Sequence, residues 1–298
     1  MLPLVDLAAP DTGARIDAGL SAYGFLQLAN IGLSAADLDE VFLASENFFH
    51  LPTEVKRRYT YRSAAENFGY QGLEEENLDP AAPPDLKETF TMRGIVDDGP
   101  AIERWPSAAF RDVMQRFYSK ALGCAHAIQR QMANALDLPD DFFARAHSGQ
   151  AVTLRLLYYP NIGTPAESDA QMGAGAHTDY GFLTLLFQRD VGGLQVLDKT
   201  GTWIDVPPRD GAVVVNSGDL LEHWTNGRYK STIHRVVPQS SGRDRLSVAL
   251  FVDPDPDTMV EVLPSCVSAE NPARHASVLA GDHLQAKLQA THKGRFEE

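Results

Sequence analysis

The sequence has few cysteines, few positive charges and no long apolar run. Cys124 and Cys266 are its only cysteines, which excludes a disulfide framework and a Cys-x-x-Cys metal site. A formal net charge of −14 argues against a surface that follows nucleic-acid phosphates or an anionic membrane. The N-terminus has no basic start and no long apolar stretch. We therefore expect no signal peptide, no membrane segment and a cytoplasmic protein.

The rest of the composition is that of a globular protein. Hydrophobic residues make up 44% and charged residues 22% of the 298 residues, which disfavours disordered and fibrous classes. Strand-rich domains of this length often stay undivided. We expect one domain over residues 1–298, with a helix-rich N-terminal region at 1–150, a strand-rich core at 151–265 and a C-terminal helical segment at 266–298.

The clearest helix is predicted over about residues 106–136. Its apolar side chains recur at steps of three or four, which makes one continuous helical stripe. Cys124 lies on this stripe and is expected to be a small core residue. The stripe consists of Val113, Phe117, Ala121, Cys124, Ile128, Met132 and Leu136.

Shorter signals mark the remainder of the N-terminal region. Residues 24–30 (GFLQLAN) predict a strand. Ser34 and Asp37 resemble a capping box before a helix, and Thr53 is placed to cap the next one. Residues 62–84 hold Gly, Asn and Pro without a clear period and are predicted to form a loop.

The second half of the chain changes to short strand-like runs. They are rich in Val, Leu, Ile and aromatics and are separated by Gly, Pro, Asp and Asn, which indicates a β-sandwich or barrel. From residue 269 onward the sequence is predicted to be helical again, ending in GDHLQAKLQATH. The runs are VTLRLLYYP, LTLLFQ, LQVLD, WIDVP, AVVVNSGD, STIHRVV, RLSVALFV and MVEVLP.

Three residues in these runs have the types of a metal centre. His177 and Asp179 are two apart, so they point to the same side of an extended segment. His234 lies in a later β-branched run. Two histidines and one carboxylate form the facial triad that holds non-haem Fe(II) and leaves positions open. A lone His-x-Asp pair is a weak signal, and each histidine has an ordinary loop or core alternative.

A second pair of residues supports the prediction of a metal centre. Arg245 and Ser247 are also two apart and share one face of a strand. An arginine turned inward among apolar neighbours is costly without a buried anion. Its planar fork suits a carboxylate, with the serine hydroxyl as a second donor. The alternative is a surface arginine on an amphipathic strand.

Together these residues resemble the isopenicillin-N-synthase-like family of Fe(II)/2-oxoglutarate-dependent dioxygenases. The family pattern of His-x-Asp, a distant His and then Arg-x-Ser is matched in order by the five residues above. The similarity spans residues 3–265. Further landmarks are VDLAAP, YGFLQLANIGLS, FFHLPTEVKRRY, LKETFTM, RLLYYP and VVNSGDLLEHWTNGRYKSTIHRVV.

The resemblance implies a mostly β fold with flanking helices: a double-stranded β-helix, or jelly roll, with helices packed on the outside. It implies Fe(II) bound by His177, Asp179 and His234. It also implies 2-oxoglutarate as co-substrate, with its far carboxylate at Arg245 and Ser247, and O2 as the oxidant. Oxidative decarboxylation of 2-oxoglutarate would drive hydroxylation or desaturation of a small organic molecule.

Other positions take expectations from the same resemblance. Tyr159 matches a tyrosine that hydrogen-bonds the co-substrate, whereas Leu157 stands where relatives often carry Asn. Asn216 and Asp219 match a turn that shapes the barrel and are expected to be structural. His223 is expected to lie in a turn and not to be a ligand. Arg155 is expected to point inward, either towards substrate or into an ion pair. The weak candidates for substrate contact are Tyr70, Phe90, Phe182 and Phe251.

Alternatives remain at this point. An oxidase of the same fold uses no 2-oxoglutarate, and another variant breaks 2-oxoglutarate down to ethylene. A binding module without turnover belongs to a different functional class, because fold does not fix function. Release of succinate separates the leading hypothesis from the oxidase. The expected partner is a small-molecule substrate, with no nucleic acid and no membrane. The sequence predicts neither the substrate nor the oligomeric state.

Overall fold

The computed structural model describes residues 2–78, 82–96, 100–161, 171–239 and 242–291, with side chains to residue 287. The α-helices in this part of the chain are α1 (Thr12–Tyr23), α2 (Ala35–Phe49), α3 (Thr53–Lys56), α4 (Ala108–Ala135), α5 (Asp219–Trp224) and α6 (Ala280–Thr291). The strands are β1 (Leu4–Asp6), β2 (Phe25–Ala29), β3 (Phe68–Gln71), β4 (Glu88–Arg93), β5 (Thr153–Tyr159), β6 (Ala174–His177), β7 (Leu183–Gln188), β8 (Leu194–Leu197), β9 (Trp203–Asp205), β10 (Ala212–Ser217), β11 (His234–Val236), β12 (Arg245–Val252), β13 (Met259–Val260) and β14 (Val278–Leu279).

Two sheets form the core. The larger has the strand order β1-β2-β10-β7-β12-β5-β4-β3, and the smaller has the order β6-β11-β8-β9. The β1–β2 pair is parallel, and the other pairs within both sheets are antiparallel. This is the predicted jelly roll with helices on the outside.

The register of the larger sheet places polar side chains on its inner face. Arg245 in β12 stands opposite Tyr159 in β5, and Ser247 stands opposite Leu157. Side chains alternate along a strand, so these residues face the same side as one another. The predicted inward pairing of Arg245 and Ser247 is therefore present.

Helix α4 covers the outer face of the larger sheet. Ser107 begins it by accepting a hydrogen bond from the Phe110 backbone N–H. Its predicted apolar stripe is mostly buried, and the Phe117 ring packs edge-on against Phe187 of β7 at 5.2 Å between centroids. Burial of such an apolar face supplies most of a helix's stability in a protein.

The N-terminal region contains more strand than the sequence predicts. The segment predicted as a loop at 62–84 contains β3, and β3 with β4 completes one edge of the larger sheet. Only four residues long, β3 owes its conformation to pairing with β4 rather than to a hydrophobic pattern of its own. Thr53 is the first residue of α3 and makes no capping hydrogen bond, so its predicted role is wrong.

Two further predictions in the second half of the chain differ from the structure. Residues 222–227 (EHWTNG) are predicted as a turn, but 222–224 belong to helix α5 and only 225–227 form a turn. Residues 269–279 are not helical and end in the short strand β14, which pairs with β13. Asn226 shapes this segment, because its Nδ2 lies within hydrogen-bonding distance of the carbonyls of Cys266, Asn271 and Pro272. Helix formation begins only at Ala280, and the division of the chain into three regions stays a prediction.

Candidate metal centre and co-substrate pocket

The two histidines and the aspartate of the predicted triad meet between two paired strands. His177 ends β6 and stands opposite His234 of β11, while Asp179 follows two residues after β6. One ligand atom from each side chain lies within 4.8 Å of the others. Asp179 Oδ1 is 3.8 Å from His177 Nε2 and 3.7 Å from His234 Nε2. The backbone therefore brings together three residues separated by up to 57 positions.

Backbone carbonyls orient both imidazole rings. Nδ1 of His177 is 2.7 Å from the Gly175 carbonyl oxygen, and Nδ1 of His234 is 3.1 Å from the Thr232 carbonyl oxygen. Each Nδ1 therefore carries the proton, and each Nε2 presents a lone pair to the shared space. Burial, with the nearby His234, lowers the pKa of His177 to about 3, so that its ring is neutral.

Asp179 is also fixed by its neighbours. Its Oδ2 accepts hydrogen bonds from Thr184 Oγ1 at 2.5 Å and from Asn216 Nδ2 at 2.7 Å. Burial opposes ionisation, but the two histidines and these hydrogen bonds hold the pKa of Asp179 below its ordinary value. The carboxylate is therefore ionised, and Oδ1 remains directed at the histidines. Asn216, expected to be a turn residue, instead orients a member of the triad.

This donor set fits Fe(II). Two neutral imidazoles and one carboxylate are the facial triad of non-haem iron oxygenases, in which the remaining coordination positions stay open. The ligand atoms lie between paired strands and are oriented by hydrogen bonds to other residues, as is usual in metal sites.

Arg245 is a buried cation with neutral partners. Its side chain is fully buried, and it donates from Nη1 to Ser247 Oγ at 3.1 Å and from Nη2 to Gln188 Oε1 at 3.0 Å. The guanidinium carbon is 4.8 Å from the centroid of the Tyr159 ring. No carboxylate in the described part of the chain lies within 4.0 Å of it. Burial lowers the pKa of Arg245.

Such an arginine fits an anionic ligand. The Arg245 Nε atom is buried without a partner among the described residues, and an unpaired buried charge is costly. A carboxylate bound in this space would supply the missing negative charge. Gln188, which sequence reasoning did not single out, holds one arm of the guanidinium from the neighbouring strand β7.

One cavity of about 430 Å³ connects the triad to this arginine. All six predicted site residues line it, and so does Leu157, at the position where the resemblance implies Asn. Much of the wall between the two groups is apolar. Its apolar lining includes Phe25, Leu157, Leu186, Leu194, Val236 and Ala249.

Only one of the four aromatic candidates for substrate contact lines this cavity. Phe251 does, whereas Tyr70, Phe90 and Phe182 are almost fully buried in the hydrophobic core. Phe25 was not predicted. It lines the cavity and packs edge-on against the His234 ring at 5.2 Å between centroids.

Arg155 points inward as predicted and forms an ion pair. Its Nη2 contacts Glu76 Oε1, and Lys87 lies 3.3 Å from Glu76 Oε2 and also contacts Asp85. Asp85 Oδ1 in turn accepts the Gly175 N–H at 2.9 Å, next to the triad. This buried network was missed, because Glu76 and Asp85 come from a segment without a regular pattern.

His223 lies apart from the triad, as expected. Its Nε2 is 2.9 Å from the Ala276 carbonyl oxygen, and its ring stacks on His275 at 4.6 Å between centroids. Asp219 accepts hydrogen bonds from Ser231 at 2.6 Å and Lys287 at 2.6 Å, so it ties α5 to α6. No described helix combines the length and the apolar character needed to cross a bilayer.

Comparisons with known proteins agree with this geometry. The profile of the 2OG-Fe(II) oxygenase superfamily matches residues 151–254, and the profile of the non-haem dioxygenase in morphine synthesis N-terminal family matches residues 2–108. The chain is 33% identical over 292 residues to a 2-oxoglutarate-Fe(II) type oxidoreductase (hxnY) of Emericella nidulans, across 92% of this chain and 82% of that one.

Two other proteins are similar to the chain over nearly its whole length. A feruloyl CoA ortho-hydroxylase of Ipomoea batatas is 31% identical, across 99% of this chain and 82% of that one. The crystal structure of a full-length Neurospora crassa protein in complex with alpha-KG and thymine superposes with a TM-score of 0.87. It is 31% identical, and the match covers 98% of this chain and 97% of that one.

The chain belongs to the 2-oxoglutarate-Fe(II) oxygenase superfamily. It is an enzyme, a dioxygenase that uses Fe(II), 2-oxoglutarate and O2.

Proposed function

We propose that His177, Asp179 and His234 hold Fe(II), and that Arg245 and Ser247, with Tyr159 beside them, hold the far carboxylate of 2-oxoglutarate. The observation that carries this proposal is a single cavity with three converging ligand atoms at one place and a fully buried, unpaired arginine at another. The two groups lie on opposite sheets of the jelly roll, so a molecule that chelates the metal can reach the arginine with its other end.

With O2 and 2-oxoglutarate bound, the iron centre supplies the oxidising power to convert a C–H bond to C–OH, with succinate and CO2 as by-products. The protein's own residues bind and orient the metal and the co-substrate, and they exclude water. Thr184 and Asn216 keep Asp179 ionised and turned to the metal. The apolar wall keeps the space between metal and substrate dry, which limits side reactions.

Hydroxylation of a small organic molecule is the proposed outcome, with desaturation as a variant. The Ipomoea batatas relative is named as a hydroxylase, and the Neurospora crassa protein was crystallised in complex with alpha-KG and thymine. A cavity of about 430 Å³ lies within the range of small-molecule sites. We keep the cytoplasm as the proposed location.

Anaerobic titration of the Fe(II)-loaded protein with 2-oxoglutarate tests the site assignment. The chelate is expected to give a saturable visible charge-transfer band. The His177→Ala variant is expected to stay folded and to lose both iron and the band. The Arg245→Met variant is expected to keep iron and to need far more 2-oxoglutarate for the band. Full band intensity in His177→Ala at wild-type iron content would refute the triad.

The alternatives are separated by products. Succinate formed in step with substrate oxidation supports the proposal. Substrate oxidation without succinate identifies the same-fold oxidase, and ethylene in the headspace identifies breakdown of 2-oxoglutarate itself. Saturable binding without any turnover identifies the binding module.

A further inference from the structure

Two oppositely charged residues line the cavity outside the proposed metal and co-substrate sites. Arg93 ends β4, and Asp253 follows β12. The strands that carry them flank β5, where Thr153 stands opposite both Arg93 and Phe251. Asp253 lies two residues beyond Phe251 along the same face. The sheet register therefore brings both charged groups to one end of the cavity.

Neutral neighbours orient Arg93. Its Nε donates to Thr153 Oγ1 at 3.3 Å. With the Asn67 amide turned so that its oxygen faces donors, this oxygen accepts from Arg93 Nε and Nη2 at 3.1 Å each, and its nitrogen donates to the Tyr61 hydroxyl at 3.1 Å. No carboxylate in the described ranges lies within 4.0 Å of Arg93. The guanidinium is thus held in place with its charge unpaired and Nη1 available.

Asp253 is held in place as well. Its side chain accepts the Phe182 backbone N–H and packs against Gly181, where an added Cβ would lie 1.6 Å from Oδ1. Asp253 is 8% exposed, and no cationic nitrogen in the described part of the chain lies within 4.0 Å of its carboxylate. Burial raises its pKa to about 6, and the nearby Arg93 opposes this rise.

The other charges around the outer cavity are already balanced or solvated. Arg155 pairs with Glu76, Lys87 pairs with Glu76 and Asp85, and Arg62 is exposed. An anionic substrate would approach the Asp253 carboxylate, and a cationic one would approach the Arg93 guanidinium. A neutral substrate avoids both repulsions when it turns an acceptor to the arginine and a donor to the aspartate.

We propose that Arg93 and Asp253 are the specificity-determining pair of this enzyme, and that they select a small neutral molecule with a carbonyl-type acceptor next to an N–H or O–H donor. Arg93 binds the acceptor, and Asp253 accepts from the donor. The inference rests on the proposed function only in that the same cavity also holds Fe(II) and 2-oxoglutarate. Lactams, cyclic imides and related amides have the required pair of groups.

Calorimetric titration of the anaerobic protein, loaded with Fe(II) and 2-oxoglutarate, tests the pair. The probes are uracil and 2-piperidone, their fully N-methylated counterparts, which keep the carbonyl and lack the N–H, and benzoate, which is anionic. The N–H probes are expected to bind at least about tenfold more tightly than their N-methylated counterparts and than benzoate, because a buried acceptor left unpaired is costly. Equal affinities, tighter benzoate binding, or no binding of either N–H probe at millimolar concentration would overturn the proposal.

Variants separate the two roles. Arg93→Met is expected to weaken N–H and N-methyl probes alike, by about tenfold or more, since both present the carbonyl. Asp253→Leu is expected to weaken only the N–H probes and so to abolish their preference. Asp253→Asn, which keeps an acceptor oxygen for Phe182, is expected to show a smaller loss of the same kind. Uniform weakening of all probes by Asp253→Asn and Asp253→Leu contradicts the assigned roles.

The 2-oxoglutarate charge-transfer band provides the control. Arg93→Met and Asp253→Asn are expected to keep the wild-type band and thermal midpoint, as is the matched surface variant Arg189→Met. Failure of the wild-type protein to give the band counts against the proposed function. A normal band with probe affinities unchanged by Arg93→Met counts against the specificity pair alone.

Discussion

Asn216 Nδ2 lies 2.7 Å from Asp179 Oδ2 and, with Thr184, determines which carboxylate oxygen faces the two histidines. Asn216 belongs to β10 and stands opposite Thr184 of β7. The orientation of Asp179 therefore depends on the pairing of two strands that carry no metal ligand. Loss of a ligand-orienting contact of this kind typically weakens metal binding by about 10-fold to 100-fold.

Replacement of Asn216 tests this relationship. The Asn216→Val variant leaves Asp179 Oδ2 with Thr184 as its remaining side-chain donor, and the Fe(II) affinity is expected to fall by about 10-fold to 100-fold. Anaerobic Fe(II) titration measures the change. The exposed Asn134→Ala variant serves as control. Unchanged iron affinity in Asn216→Val would show that Asp179 is oriented without it.

Arg245 and Ser247 are expected to contribute unequally to binding of 2-oxoglutarate. Removing a buried charged partner costs about 2–5 kcal/mol, so Arg245→Met is expected to weaken 2-oxoglutarate binding by about 100-fold. Ser247→Ala removes a single hydrogen bond from a neutral hydroxyl to the carboxylate, worth about 1.5 kcal/mol, and is expected to weaken it by about tenfold. Both variants keep the triad, so their iron content is the internal control. Equal losses would assign the main carboxylate contact elsewhere.

The stability of the protein is expected to fall in acid because of His147. This buried side chain is 2.6 Å from the Phe143 carbonyl through Nδ1, and its Nε2 has no partner among the described residues. Burial lowers its pKa from 6.5 to about 4, although the Phe143 carbonyl and Asp255 oppose the shift. Between these values the unfolded chain binds the proton and the folded chain does not, so stability falls as pH decreases through this range.

The expected decrease in the free energy of unfolding is about 3 kcal/mol once the pH has fallen from 6.5 to about 4, at 1.36 kcal/mol for each unit of pKa shift. Urea unfolding of the metal-free protein across this range measures it. The His147→Gln variant is expected to lose less stability than the wild type over the same interval. An identical slope in the two proteins would assign the acid sensitivity to other groups.

Phe182 is expected to act in packing rather than in substrate binding. Its ring contacts Phe143, His147 and Trp224, with centroids 4.7–5.7 Å apart, and it is fully buried. Phe182→Ala is expected to lower the free energy of unfolding by about 3–5 kcal/mol. Phe182→Leu is expected to lower the free energy of unfolding by less and to leave the affinity for uracil and 2-piperidone unchanged. A large affinity change in Phe182→Leu at near-wild-type stability would return this residue to the substrate site.

The placement of two residue pairs on shared faces was predictable because their signals are local, whereas His234 was chosen from its strand-like context and the family resemblance. His177 with Asp179, and Arg245 with Ser247, lie two apart within strand-like runs, and alternation along a strand is enough to place each pair on one face. Strand spacing predicted a β-sandwich or barrel, and the resemblance implied the jelly roll. Phe25, Arg93 and Asn67 were not predicted as site residues, because strand pairing and loops bring them to the cavity from the N-terminal region. The short strand β3 has no pattern of its own, and only its partner β4 defines it.

Strand β2, near the start of the chain, pairs with β10, and Val214 stands opposite Gln27, which precedes it by 187 positions in the sequence. Loops of this length close slowly, because the entropy cost is incurred before any contact offsets it. Asn216, which orients Asp179, lies in the same strand as Val214 and pairs with Phe25. A nascent chain is therefore expected to gain high iron affinity only after β2 and β10 have met. The time at which tight Fe(II) binding appears during refolding then measures when the barrel closes.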